Sequence, residues 1–210
     1  PAFAADAKGM IISAVEDNNP VICLEHRWSH YAAGDVPEGF YRAPLDGPKR
    51  IRDGDRMTVV ATSYMTLEAI RAADVLADLG YPIDVFDLRV LRPLNLDRIA
   101  ESVGRTGKLL TVDTGFRMFG IGAEIAAEIT TRCFSDLKAA PVRLGLPDHP
   151  TPSSRGLVQG FYPDAARIAR SCAEMLDLPE DVIRKAEARI IEERQGLPID
   201  VPDPFFKGPF

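Results

Sequence analysis

The residues best suited to chemistry lie near the start of the chain. AVEDNNPVI (14–22) sets Glu16, Asp17, Asn18 and Asn19 in a row between a helical pattern and an apolar run, where a turn needs only one such side chain. Two readings fit these residues. The turn can close on itself, with an Asp or Asn side chain accepting from backbone two residues on. Alternatively its oxygens can hold a hard cation, because the last carbonyls of a helix lack partners and carry the negative end of its dipole.

Other candidates are less organised. GFRMFGIGAEIA has Gly115, Gly120 and Gly122 at a strand-to-helix turn, the place where free N–H groups can meet a phosphate. It lacks the Lys-Ser/Thr of a Walker loop, and Ile125 stands where the dinucleotide fingerprint needs its third glycine. Close packing of backbone against a sheet is the favoured reading. His26 and His30 are four apart but fall in a non-helical segment without a carboxylate at zincin spacing. His149 lies in the loop after the last predicted strand, at the end of the sheet where α/β folds bind ligands; a loop histidine bonded locally is the favoured reading. Asp87 and Asp113 fall at or near strand C-termini and could form a paired-acid pocket, with Arg89 and Arg92 close enough to make structural ion pairs instead. No Gly-x-Ser-x-Gly elbow and no Cys–His pairing occurs.

The elements that must position these groups follow from periodicity. A helix is predicted over 6–17, with Met10, Ile11, Ala14 and Val15 on one face, and then a short buried strand in VICLE (21–25). Residues 26–53 are rich in Pro and Gly and read as an irregular connector. Strands MTVVAT (57–62), IDVFDL (83–88), KLLTVD (108–113) and PVRLGL (141–146) alternate with helices. Their inner stripes are Leu67, Ile70, Ala73 and Leu76, then Leu96, Ile99 and Val103, then Ile121, Ile125, Ile129 and Phe134. Pro163 opens a further helix carrying Ala165, Ile168, Ala169, Cys172, Met175 and Leu176. A charged helix over 180–195, lined by Val182, Ala186 and Ile190, leads to LPIDVPDPFFKGPF, whose aromatics are expected to dock on a surface. Alternating strands and helices imply an open, mostly parallel α/β sheet of four strands. One N-terminal helix and one strand do not make a domain, so that piece reads as the tail end of another α/β domain. The initial Pro1 fits the same expectation.

Composition narrows the class. The 210 residues are 46% hydrophobic and 27% charged with a net charge of -6, which suits a globular protein, and scattered basic residues leave no nucleic-acid footprint. No apolar run approaches the roughly 18 residues that span a membrane, and PAFAADAKG lacks the pattern of a signal peptide. Cys23, Cys133 and Cys172 each fall in an apolar pattern, as buried free thiols do, which implies a reducing, cytoplasmic setting without a disulfide framework.

Several blocks together resemble a known family. DAKGMIISAVEDNNPVICLE (6–25) resembles the end of the pyrimidine-binding domain of β subunits of thiamine-diphosphate-dependent 2-oxoacid dehydrogenases. MTVVATSYM, VFDLRVLRPLNLDRIAESVGRTGKLLTVD (85–113), GIGAEIAAEI (120–129) and APVRLGLPDHPTP (140–152) resemble the transketolase C-terminal domain, in the same order and spacing. The resemblance implies three segments: 1–53 as the end of the pyrimidine-binding domain plus a connector, 54–178 as the transketolase C-terminal domain, and 179–210 as a C-terminal helix and tail. It implies thiamine diphosphate and Mg²⁺ in the complete assembly, held by residues outside this chain, so that the chain is not catalytic alone. It also implies an α-type subunit or a second β-type copy as partner, and an acyltransferase core in large complexes. At the opening turn it implies a potassium site formed by Ala14, Val15, Asp17 and Asn19, with one more ligand from upstream. ATSYMTLEAIRAAD and PTPSSRGLVQGFYPDA look nearer to transketolase-like members of sugar and polysaccharide pathways than to pyruvate dehydrogenase. The alternative is a stand-alone module of this fold, used for dimerisation or regulation without a cofactor.

Overall fold

The computed structural model describes residues 1–194 and Leu197. Its strands are β1 (Lys49–Arg52), β2 (Thr58–Ala61), β3 (Asp84–Asp87), β4 (Leu109–Phe116) and β5 (Val142–Leu146). Its helices are α1 (Ala4–Val15), α2 (Tyr64–Asp78), α3 (Asp97–Thr106), α4 (Ile121–Arg132), α5 (Arg155–Val158), α6 (Ala165–Met175) and α7 (Glu180–Glu193). The strands form one sheet in the order β1-β3-β2-β4-β5. β2 is the fully buried middle strand and runs parallel to β3 and β4, and β5 runs parallel to β4.

Strand alternation sorts the core into two layers. Val59, Ala61, Val85, Leu110 and Val112 face α2, α6 and α7, meeting Ala69, Leu76, Ile168, Cys172, Ala186 and Ile190. Val60, Phe86 and Leu109 face α3 and α4, meeting Ile99, Val103, Ile125 and Ile129. α7 therefore closes the same core as α2 and α6.

Two buried carboxylates fix the helices. Asp84, at the start of β3, accepts from Ser102 and Arg105 of α3 and from the Gly54 N–H at 2.8 Å. Glu68, 1% exposed on α2, accepts from the Tyr64 hydroxyl at 2.8 Å and from the Ala165 N–H at 2.8 Å, and also pairs with Arg71. The Ala165 amide is one of the donors that the first turn of α6 cannot satisfy internally. Glu68 thus bonds α2 to the start of α6.

The structure departs from the sequence-based expectation in several places. The connector contains a fifth strand, β1, which pairs antiparallel with β3 through charged KRIR. VICLE is not a strand, and Ile22 and Leu24 are 85% and 68% exposed. Apolar residues make a strand only beside a neighbour that offers backbone partners, and β1 already occupies that edge of the sheet. Cys23 is consequently exposed, whereas Cys133 and Cys172 are buried free thiols. On α1 the inner face carries Asp6, Gly9 and Met10, while Ile11 and Val15 point outward. Gly9 sets this face, because a Cβ there would come within 2.7 Å of the Tyr41 ring. α4 ends at Arg132, so Cys133 takes the buried place expected of Phe134, which is 78% exposed. α6 begins after an Asp164 cap that accepts from Arg167 N–H at 2.8 Å, leaving Pro163 outside the helix. On α7, Ile183 rather than Val182 joins Ala186 and Ile190 in the core. The expected docking of the Pro- and Phe-rich tail falls outside the described residues, Leu197 apart. Among the described residues no helix is long and apolar enough to cross a membrane.

Replacing Glu68 by Ala strips the Ala165 amide and the Tyr64 hydroxyl of this buried partner and is expected to destabilise the fold by about 3 kcal/mol. Glu68→Gln keeps one acceptor and should cost less. Urea denaturation of both variants measures the difference.

Candidate functional site

The turn at 14–19 takes the self-closing form. Asn19 donates from its backbone N–H (2.8 Å) and its side-chain Nδ2 (3.0 Å) to Asp17 Oδ1, and those two donors hold the Asp17 carboxyl below its ordinary range. The Asp17 N–H reaches the Ala14 carbonyl at 3.4 Å. Glu16 makes a forked pair with Arg42, through Nε and through Nη2 at 2.8 Å. Val15, Asp17 and Asn19 are exposed and Ala14 is half-buried. Beside the turn lies an open hollow of about 460 Å³, lined by Ser13, Glu16, Asp17, Arg42 and the stretch from Ala43 to Leu45. The donors are all oxygen, as a hard cation requires, but one carboxylate oxygen of Asp17 is already committed to Asn19.

The strand C-termini hold the remaining candidates, and the sheet keeps them apart. Asp87 and Val112 both pair with Ala61 across β2, so Asp113, one residue further on, points to the opposite face from Asp87. The central strand also stands between them, and no paired-acid pocket forms. Asp87 accepts from Thr66 at 3.2 Å. Asp113 accepts from Thr62 at 2.6 Å. The glycines pack closely: a Cβ on Gly120 would lie 2.2 Å from the Phe116 carbonyl oxygen and one on Gly122 2.6 Å from Thr111 Oγ1. Close backbone packing is therefore their role, as the sequence suggested.

His26 and His149 are absorbed into a row of rings that the sequence did not reveal. His26 stacks on Tyr64 at 5.8 Å, Trp28 meets Tyr64 and Tyr162, Tyr162 meets Phe161, and Phe161 meets His149 at 5.2 Å. Three segments distant in sequence thus converge beside the start of α2. His26 Nδ1 accepts from the Trp28 N–H at 3.3 Å, His30 lies 3.4 Å from Glu25, and His149 Nδ1 is 3.1 Å from the Pro150 carbonyl. Each histidine is held locally. The only cue in the sequence was aromatic composition in segments without periodicity.

Ser63 stands at the sharp turn from β2 into α2 with φ 47 and ψ -124, the strand–turn–helix setting that exposes a nucleophile in hydrolases. Here its hydroxyl is buried without a partner, and Ala61 and Met65 flank it where that motif has glycines. Among the described residues no three His, Cys, Asp or Glu side chains gather as a metal centre would require.

Burial pushes the His26 pKa down, opposed by Asp113 and assisted by His30. A folded state that holds His26 neutral loses stability as pH falls through the ordinary histidine value of about 6.5. Trp28 is the only tryptophan and touches that ring at 5.2 Å. Its fluorescence is expected to be quenched as the imidazole protonates, with a midpoint below the ordinary histidine value, and His26→Gln should flatten the titration.

Residues 48–168 match the family described as "Transketolase, C-terminal domain". The chain is 36% identical to the beta subunit of acetoin:2,6-dichlorophenolindophenol oxidoreductase from Cupriavidus necator over 84% of its own length and 52% of that relative. It is 38% identical to the pyruvate dehydrogenase E1 component subunit beta of Porphyra purpurea over 73% of its length and 46% of the relative. It thus spans about half the length of the curated relatives it matches. Among solved structures it resembles a split gene transketolase, an inactive beta4 tetramer, with a TM-score of 0.52 and 25% identity over 73% of this chain and 47% of that one. With the family match covering the whole sheet and most of its helices, the chain belongs to the transketolase C-terminal domain family.

Proposed function

We propose that this chain is the C-terminal part of a β-type subunit of a thiamine-diphosphate-dependent enzyme, serving subunit assembly and not catalytic alone. The observation that carries this reading is the extent of the likeness: 84% of this chain aligns with the acetoin enzyme's beta subunit but accounts for only 52% of that relative. The substrate class is a 2-oxoacid or acetoin rather than a sugar, since relatives at 36% and 38% identity are acetoin and pyruvate enzymes. Residues 1–53 serve as the end of a pyrimidine-binding domain and its connector, 54–178 as the transketolase C-terminal domain, and 179–210 as a helix and tail. Thiamine diphosphate and Mg²⁺ belong to the complete assembly, bound by an upstream half and an α-type partner. A second β-type copy and an acyltransferase core are the further partners, and the free buried thiols Cys133 and Cys172 support a cytoplasmic setting.

Co-expression with a relative's upstream half and an α-type subunit, followed by calorimetric titration with thiamine diphosphate and Mg²⁺, tests the reading. Cofactor binding and oxidative cleavage of a 2-oxoacid or acetoin are expected of the assembly and not of the chain alone. A stable assembly that leaves the cofactor unbound would favour the stand-alone dimerisation or regulatory module instead.

Within this reading the turn at 14–19 takes a potassium ion on oxygens of Ala14, Val15, Asp17 and Asn19, the helix end supplying carbonyls and Asp17 the charge. Because one ligand comes from upstream, KCl should raise the melting temperature relative to choline chloride only slightly for this chain and more when the upstream half is present. Asp17→Ala should remove both effects. Identical melting in the two salts for both forms would leave the turn as a self-closing cap and nothing more.

A further inference from the structure

The hold of α1 on the sheet is narrow. Its apolar seat is one small cluster of Met10, Ala43 and Val90 with Leu45 beside it, while Val15 on the other side is 80% exposed. Hydrogen bonds tie it to the connector, from the Ala43 N–H to the Gly9 carbonyl at 3.0 Å, from Ser13 Oγ to the Ala43 carbonyl at 2.7 Å and from the Tyr41 hydroxyl to the Ala5 carbonyl at 2.7 Å, and an ionic junction ties it to the strand ends. Asp6, 6% exposed, lies 3.3 Å from Arg89 Nη1 and 3.2 Å from Lys49 Nζ. The Arg89 side chain is also 6% exposed and donates through Nη2 to the Gly47 carbonyl at 3.1 Å. One guanidinium therefore joins α1, the connector and the end of β3.

Asp87 sits against this junction. It is fully buried and directly opposite Lys49 in the β1–β3 register. Oδ1 has Thr66 of α2 as its donor, but Oδ2 is buried without a partner. Arg89 Nε, two residues on, is buried without a partner as well. An orphaned acceptor and an orphaned donor thus lie in one cluster, where Asp6 pairs with Arg89 and Lys49 and the Arg89 charge also acts on Asp87. Asp46 lies 4.0 Å from Arg89 on the same junction.

We propose that Asp87 is a proton-operated latch for α1: protonated, it leaves Arg89 to Asp6 and α1 docked; ionised, it competes for the guanidinium and loosens the helix. Docking of α1 buries the cluster, and a buried carboxylate without full hydrogen bonding disfavours its charged form. Release of α1 admits water, which favours that form. Ionisation and docking therefore oppose each other. Burial raises the Asp87 carboxyl to about 6, against the Thr66 hydrogen bond and Arg89, with Asp6 adding to the rise. A group raised in the docked state favours docking below its undocked value, and that contribution is lost as pH rises through about 6. The latch needs neither cofactor nor partner and stands apart from the assembly reading.

Hydrogen exchange of the full chain, corrected for the intrinsic pH dependence of exchange, reads the latch directly. The opening constant of the α1 peptide is expected to rise by about 10-fold between about pH 5 and about pH 8, while α3 reports global opening and serves as the reference. Asp87→Asn should keep α1 protected at both pH values, and Arg89→Ala should expose it at both. Equal α1 protection in the unmodified chain at both pH values overturns the proposal. So does an Asp87→Asn variant that retains the pH dependence.

Discussion

A parallel strand pair can be connected only through a crossover, and the crossover helices cover both faces of the sheet. Everything else in this chain answers to that constraint. β2, β3, β4 and β5 are parallel neighbours, so the middle strand must be apolar on both faces and the helices packed over it must present apolar stripes. The middle strand, TVVA, is buried at all four positions. Few polar groups are buried once the two apolar layers close, and the carboxylates Asp84 and Glu68 among them are hydrogen-bonded to neighbouring helices.

Those buried polar groups divide the work. Asp84 ties the start of β3 to α3, and Glu68 ties α2 to the first turn of α6. Both lie beneath helices that the apolar core already holds. Asp6 and Arg89 differ, because the helix they attach has little apolar contact of its own. There the ionic junction supplements hydrogen bonds to the connector in holding α1, and the neighbouring Asp87 carries the cost of an incompletely bonded buried carboxylate. The membership in the transketolase C-terminal domain family concerns the sheet and the helices packed on it, whereas α1 precedes that match and is joined to it mainly through this cluster.

Much of the sheet was legible. Four of the five strands and their crossover helices follow from period-two and period-3.6 patterns, because the same burial that stabilises an element writes its spacing into the sequence. β1 was not legible: KRIR has no apolar alternation, and an edge strand needs only backbone bonds on one side. Phe134 and Cys133 exchanged places because a helix end moved by a residue or two. VICLE had the composition of a buried strand but lacked a neighbour in this sheet.

At the opening turn, the closure of Asp17 on Asn19 spans two residues and could be read from side-chain chemistry alone. The separation of Asp87 from Asp113 to opposite faces depends on register across three strands, and the Asp6–Arg89 pair joins residues 83 apart. The same holds for the rings of His26, Tyr64, Tyr162 and His149, which meet only when three distant segments converge. By itself, then, the sequence determined the elements, the parallel sheet and the local turn, all governed by interactions within a few residues or by the period of burial. Which charges meet, which apolar segment stays exposed and which carboxylate is left half-bonded were decided by the tertiary structure, because those energies depend on partners and desolvation that only the assembled core supplies.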